Sequence, residues 1–315
     1  MLPKIVCIVG PTASGKTAVG IAIARACDGE VIAADSRTVY RGMDIGTAKP
    51  ERQRITAAGS STKLSSLFGP PSFVVEDIVH WGFDLVNPDE PFTVSDFQAF
   101  ADERIADILS RGKLPVIVGG TGLYIRALLD RPNFASVPPN PELRAEIEAM
   151  PTQAILDEIG QRDPDALANL DEDNRVRLVR ALEILRTSGK PLSTEQQWGE
   201  PLYDALQIGL ELDRDVLYAR IDQRVDEMVG HGLVDEVRVL KEKYGRETNA
   251  MSGIGYRQIC DFFDGKMKLR DAVIRIKYDS HHYARRQETW FKRDNRIQWI
   301  KTEGEALQAV KSFLE

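Results

Sequence analysis

Residues 10–20 read GPTASGKTAVG. Gly10, Gly15, Lys16 and Thr17 fit the spacing G-x-x-x-x-G-K-[ST], in which glycines let backbone N–H groups wrap an anion. The run before it, KIVCIVG (residues 4–10), is short and continuously apolar, as a buried parallel strand requires. The run after it, KTAVGIAIARAC (residues 16–27), carries apolar residues at helical spacing. Strand, glycine turn and helix in that order predict a phosphate loop. The helix N-terminus adds partial positive charge, Lys16 adds a full charge, and Thr17 is placed to hold Mg²⁺. Gly10, Pro11, Thr12, Ala13, Ser14, Gly15, Lys16 and Thr17 form the expected phosphate-binding set. The motif leaves open whose phosphate is held: a nucleotide's γ-phosphate before transfer, or a diphosphate about to leave another group.

Two further apolar runs extend the pattern. EVIAADS (residues 30–36) ends in an acid, Asp35. KLPVIVGGTGLY (residues 113–124) ends in Gly-Gly-Thr-Gly, where a motor or switch ATPase would place the Asp that holds its metal. Ligands of a parallel α/β sheet sit at the carboxyl ends of its strands, so Asp35, Ser36 and Thr121 should face the crevice of the phosphate loop. Read alone, Asp35 can be a Mg²⁺ ligand, a general base or a helix cap. The fold class expected is α/β, a P-loop NTPase-like parallel sheet flanked by helices.

The chain has 315 residues, 43% hydrophobic and 28% charged, which suits one or two globular domains. No apolar run approaches a membrane span, and the first one is too short for a signal peptide. Cys7, Cys27 and Cys260 are scattered and suggest neither a disulfide framework nor a zinc site. A cytoplasmic protein without membrane contact is expected. Net charge is −7, yet residues 270–296 hold eight Lys and Arg against four Asp and Glu. Within that stretch HHYARRQETWFKR (residues 281–293) reads as a helix, with Arg285 and Arg286 on one face with Lys292 and Arg293. A basic face in an acidic chain favours a nucleic-acid backbone track. Tyr283 and Trp290, seven apart, read as core. The middle of the chain lacks strand signals and predicts helices over 141–149, 152–160 and 173–188.

Several stretches together resemble the tRNA dimethylallyltransferases: GPTASGKT (10–17), ADSRTVYRGMDIGTAKP (34–50), LPVIVGGTGLY (114–124), IGYRQ (254–258) and YARRQETWFKR (283–293). The resemblance implies transfer of a dimethylallyl group from dimethylallyl diphosphate to N6 of the adenosine 3′-adjacent to the anticodon in tRNA. The loop would then hold the diphosphate as leaving group, with Mg²⁺ at Thr17 as the cofactor. Asp35 would be the base, assisted by Thr17, Lys16 and an Arg of VLYARIDQRVDEM (216–228). That segment offers Arg220 and Arg224, of which Arg220 is favoured. Residues implied in tRNA binding are Asp35, Ser36, Arg37, Thr38, Thr121, Gly255, Tyr256, Arg257, Arg285 and Arg286. The resemblance also implies an all-helical insertion domain, residues 138–202, that grips the anticodon stem-loop through Arg144, Arg177 and Arg180. The core would be 1–137 and 203–315, and a monomer is expected.

Departures from the family pattern are Thr38 for a common Gln, Ser252 for a common Arg, Asp173-Asn174 in reversed order, and HWGFD (80–84) for H-H-L-I-D. Segment 52–75 reads as a long loop. No paired Cys and His follow residue 300, so the match is to the bacterial type. A small-molecule or nucleotide kinase with a helical lid is the alternative, but it explains neither GGTGLY nor the basic helix. A non-catalytic RNA-binding module has no use for Asp35, Thr17 and Thr121 together. Whether ATP also binds the loop is left open.

Overall fold

The structure, a computed structural model, describes residues 1–55, 71–131, 140–192 and 199–315. The continuous apolar runs form the middle of one sheet: β1 (Lys4–Val9), β2 (Gly29–Ala33) and β6 (Leu114–Gly119) are buried along nearly their whole length. The other strands are β3 (Gln53–Arg54), β4 (Ser72–Val75), β5 (Ile78–Trp81), β7 (Asp204–Leu210) and β8 (Ile297–Ile300). Their order is β3-β4-β5-β2-β6-β1-β7-β8. β5, β2, β6, β1, β7 and β8 run parallel, as strands buried on both faces do.

The edge beyond β5 differs from the sequence reading. Segment 52–75 reads as a loop, yet its described ends are strands, with β3 antiparallel to β4 and β4 to β5; residues 56–70 lie outside the described residues. Glu76 and Asp77, φ 48° and 68°, make the tight turn between β4 and β5. Two consecutive left-handed residues match the twist of such a hairpin.

Helix α1 (Lys16–Ala26) packs on one face of the sheet and α2 (Val94–Ser110) and α3 (Gly122–Asp130) on the other. Between Asp130 and Pro201 the chain forms a separate compact unit. It contains α4 (Pro141–Ala149), α5 (Thr152–Arg162), α6 (Pro164–Asn169) and α7 (Arg175–Ser188), closed on Ile147, Ile155, Ile159, Leu178 and Leu182. Asn174 caps α7, its side chain accepting from the Arg177 N–H at 3.2 Å, so the reversed Asp173-Asn174 pair places an amide where a cap is needed.

The remaining unit continues with α8 (Arg214–Gly230), α9 (Leu233–Tyr244), α10 (Tyr256–Phe263), α11 (Leu269–Phe291) and α12 (Glu303–Leu314). A third core of Val39, Tyr40, Met43, Leu233, Ile259 and Ile276 joins α9, α10 and α11 to the segment after β2.

Candidate active site

The phosphate loop follows β1. Ala13 (φ 63°) and Gly15 (φ 95°) are both left-handed, a backbone that turns successive N–H groups into one concavity. The Ser14 hydroxyl is buried and has no hydrogen-bond partner. Lys16 donates from Nζ to the Pro11 carbonyl at 2.6 Å. Burial pushes the Lys16 ammonium down to about 8, opposed by the charge of Asp35 and reinforced by that of Arg224. Thr17 lies exposed in the first turn of α1.

α11 crosses behind this loop. Gln287, 5% exposed, accepts from the Thr12 N–H at 2.8 Å and donates to the Gly120 carbonyl at 2.8 Å. A Cβ on residue 120 would stand 2.3 Å from that Gln287 nitrogen, so only glycine fits. The Thr121 hydroxyl accepts from the Ser36 N–H at 3.0 Å and also bonds the Tyr283 side chain. Tyr283 is pushed up to about 12, by burial first and by Asp35 second. Asp35 uses Oδ1 to accept from the Arg37 N–H at 2.8 Å and the Thr38 N–H at 3.4 Å. It therefore caps its own turn with one oxygen while lining the cavities described next.

Two cavities share Thr12, Asp35, Thr47, Ala48, Arg224 and Tyr283. The smaller, about 130 Å³, is lined further by Lys16, Thr17, His80 and Gln287. The larger, about 320 Å³, reaches past Ser36 and Arg37 to Arg257 and Arg286. Ile221, Val225, Met228, Ile254 and Ile276 give it an apolar side suited to a hydrocarbon or the face of a purine.

The loop carrying Thr47 and Ala48 is held from outside. Glu236 on α9 accepts from the N–H groups of Asp44 (2.9 Å), Ile45 (2.7 Å) and Gly46 (3.0 Å), and from the Tyr256 hydroxyl at 2.7 Å. Lys49, its side chain fully buried, donates to the Tyr40 carbonyl and pairs with Asp44 (3.0 Å) and Asp84 (2.5 Å). Buried charges persist only when paired in this way. The arrangement offers an anion cradle at one end, a carboxylate where the cavities meet, and a basic rim at the other end.

A family model described as IPP transferase matches residues 38–294, and one described as isopentenyl transferase matches residues 3–59. The chain belongs to the IPP transferase family. Among curated relatives, "tRNA dimethylallyltransferase 2" of Geotalea daltonii is 43% identical over 95% of this chain and 87% of its own length. "tRNA dimethylallyltransferase" of Roseiflexus sp. is 40% identical over 98% and 96%. The solved full-length tRNA isopentenylpyrophosphate transferase of Bacillus halodurans, 36% identical, superposes with a TM-score of 0.68 over 99% of this chain and 95% of that one. A eukaryotic dimethylallyltransferase described as acting on tRNA, 26% identical, has a TM-score of 0.74 over 95% and 74%.

For this IPP transferase, some residues singled out from sequence stand elsewhere than expected. Arg220 is exposed and lines neither cavity, whereas Arg224, one helical turn on, lines both. The sequence pattern could not separate them, because both fit R-I-x-x-R. Tyr256, expected at the RNA, is 1% exposed with its hydroxyl on Glu236; it supports the 44–46 loop. Thr38 is 7% exposed and lines the smaller cavity, its hydroxyl turned to the Asp35 carbonyl. Tyr283, read as core, lines both cavities.

Others of the IPP transferase set line the larger cavity or lie on α11 and in the helical unit. Gly255 (φ 95°) opens α10 at the wall of the larger cavity. Arg257 lines that cavity while pairing with Asp279 at 2.8 Å. Arg285 is exposed beside His282, and Arg286 reaches the larger cavity. Arg37 donates to the Asn249 carbonyl at 2.5 Å and reaches the Ser252 hydroxyl at 3.3 Å, which places its guanidinium beside residue 252. In the helical unit Arg144 and Arg180 each pair at 2.8 Å with Glu183, whose side chain is fully buried, and Arg177 is exposed. Gln287, Glu236 and His80 were not anticipated. A Gln inside YARRQETWFKR was a visible signal for the first and the His of HWGFD for the third; nothing local marks Glu236.

Proposed function

We propose that this enzyme transfers a dimethylallyl group from dimethylallyl diphosphate to N6 of the adenosine 3′-adjacent to the anticodon in tRNA. The observation that carries this reading is that one pair of joined cavities leads from Lys16 and Arg224 past Asp35 to a rim with Arg257 and Arg286. A diphosphate occupies the smaller cavity, held by the loop N–H groups, the Ser14 hydroxyl, Lys16 and Arg224. The adenine enters through the larger one. The N6–C1 bond forms as the C1–O bond breaks, and the diphosphate leaves with the electron pair. Asp35 takes the N6 proton, which raises the nucleophilicity of an amine delocalised into the purine. Lys16 and Arg224 neutralise the charge that grows on the leaving oxygen.

The residues present fit a magnesium ion. Thr17 and the substrate's own oxygens are hard ligands of the kind Mg²⁺ takes, and Lys16 stands beside them. Bound there, Mg²⁺ would add charge to stabilise the departing diphosphate.

The anticodon stem-loop follows the basic face of α11, with Arg285 and Arg286, and the helical unit α4–α7 grips it through Arg144, Arg177 and Arg180. The pairing of Arg144 and Arg180 with Glu183 holds both guanidinium groups in fixed places, which supports a positioned contact to phosphate. Among the described residues no helix is long and apolar enough to cross a membrane; a cytoplasmic monomer acting on tRNA is the reading we favour.

The test is to incubate the protein with an anticodon stem-loop RNA and either γ-labelled ATP or prenyl-labelled dimethylallyl diphosphate. The prenyl label alone should enter RNA, at the adenosine. Incorporation of phosphate from ATP would replace this reading with a kinase.

A further inference from the structure

His80 lies on β5 at the wall of the smaller cavity and is 1% exposed. Its ring stacks on Phe83 with centroids 6.0 Å apart, which fixes its plane. Nδ1 stands 3.0 Å from the Ile78 carbonyl oxygen. A carbonyl only accepts, so Nδ1 carries the proton and Nε2 keeps a lone pair. That Nε2 is buried and has no hydrogen-bond partner. A buried acceptor left unpaired is costly, and such an atom in a ligand cavity calls for a donor that arrives with the ligand.

The donor is not the diphosphate itself, whose oxygens at neutral pH would set lone pair against lone pair. Protonating the ring is disfavoured, since burial pushes His80 below the ordinary histidine range. Lys16 points its ammonium at the Pro11 carbonyl and makes no bond to Nε2. A hydrated divalent cation does supply donors. Mg²⁺ sheds its waters reluctantly, and the ion's charge makes their O–H groups strong donors.

We propose that His80 is a positioning residue, accepting at Nε2 a hydrogen bond from a water in the hydration shell of the magnesium ion that accompanies the diphosphate. The proposal rests on the reading of the smaller cavity as a diphosphate site. Partners that orient a metal's ligands without touching the metal are worth about 10–100-fold in metal affinity.

The experiment uses the full chain, saturating inorganic diphosphate and Mn²⁺, with free Mn²⁺ counted by electron paramagnetic resonance. Three variants are compared. His80→Phe keeps the stacking and removes both nitrogens, His80→Gln places an amide near the Nε2 position, and His80→Asn places one near Nδ1. The Phe and Asn variants should raise the Mn²⁺ Kd about tenfold or more, and the Gln variant should stay within about threefold of wild type. Diphosphate binding in EDTA should be unchanged in all three. Mn²⁺ affinity in His80→Phe equal to wild type overturns the proposal. So does a matching fall in metal-free diphosphate binding. Should the Phe variant melt early, the Gln and Asn variants decide, and equal Mn²⁺ affinities for the two overturn it. A wild-type protein that binds Mn²⁺ no better with diphosphate than without would sink the reading of the cavity along with it.

Discussion

The Thr12 N–H donates to Gln287 Oε1 at 2.8 Å, tying the phosphate loop to a helix 275 positions away in sequence. The same amide donates to the Gly120 carbonyl, so one side chain fixes the ends of β1 and β6 and the basic helix to each other. Replacing it with Leu strands a half-buried N–H and a buried carbonyl, the latter at a cost of about 1–3 kcal/mol. Gln287→Leu should lower Tm by several degrees and kcat by an order of magnitude or more, because the loop and the Thr121 turn lose their common register. An unchanged melt with unchanged kcat would show that the bridge is incidental.

Arg224 and Arg220 give a sharper contrast. Arg224 lines both cavities and bears on Lys16, while Arg220 is exposed. Arg224→Ala should reduce kcat/KM for dimethylallyl diphosphate by roughly 10²–10³, as loss of a charge on a developing oxyanion does. Arg220→Ala should stay within about threefold. Steady-state kinetics on the two variants would reverse the assignment if Arg220 proved the more damaging.

Lys16 sets a pH dependence. Burial disfavours its charge and pushes the ammonium down to about 8 from the ordinary 10.5. Below pH 8 the diphosphate meets a cation. Above it the free enzyme loses that cation, and binding must first take up a proton, so KM for the prenyl diphosphate should climb with pH. Lys16→Arg, charged throughout, should flatten the climb even if kcat falls. A KM that stays level from pH 7 to 9.5 in the wild-type enzyme contradicts the assignment.

Arg285 is exposed on α11 beside His282. If it meets a phosphate of the RNA, Arg285→Ala should raise KM for the stem-loop. It should also flatten the salt dependence, by a slope of about 0.7 for each phosphate the guanidinium neutralises. KM for dimethylallyl diphosphate and Tm should hold. Weaker diphosphate binding at constant Tm would place Arg285 in the small-substrate site.

The central strands and the phosphate loop were legible because their signals are local: a continuous apolar run, then G-x-x-x-x-G-K-T, then helical spacing. Helices α4, α5 and α7 were legible from Pro and Gly punctuation. What was not legible depends on contacts between distant residues. Arg224 and Arg220 are indistinguishable until α8 is docked and only one side of it faces the loop. Tyr256 of IGYRQ is expected at the RNA until Glu236, from another helix, takes its hydroxyl. The β3–β4 edge was hidden because two- and four-residue strands carry too little alternation to stand out. The capping of Asp35 by its own turn is local, and the sequence offered it beside the role of base; the structure supplies the cap and leaves the carboxylate in the cavity wall.

The role of Asp35 is the point on which everything else turns. The decisive measurement is the single-turnover rate of prenyl transfer by Asp35→Asn, with stem-loop affinity measured on the same preparation. Asn keeps an oxygen for the Arg37 and Thr38 N–H groups, so the turn should survive. The account predicts a rate lowered by about 10²–10⁴ with RNA affinity nearly intact. A variant that transfers within about threefold of wild type would show that the proton leaves N6 by another route and that Asp35 is a cap alone.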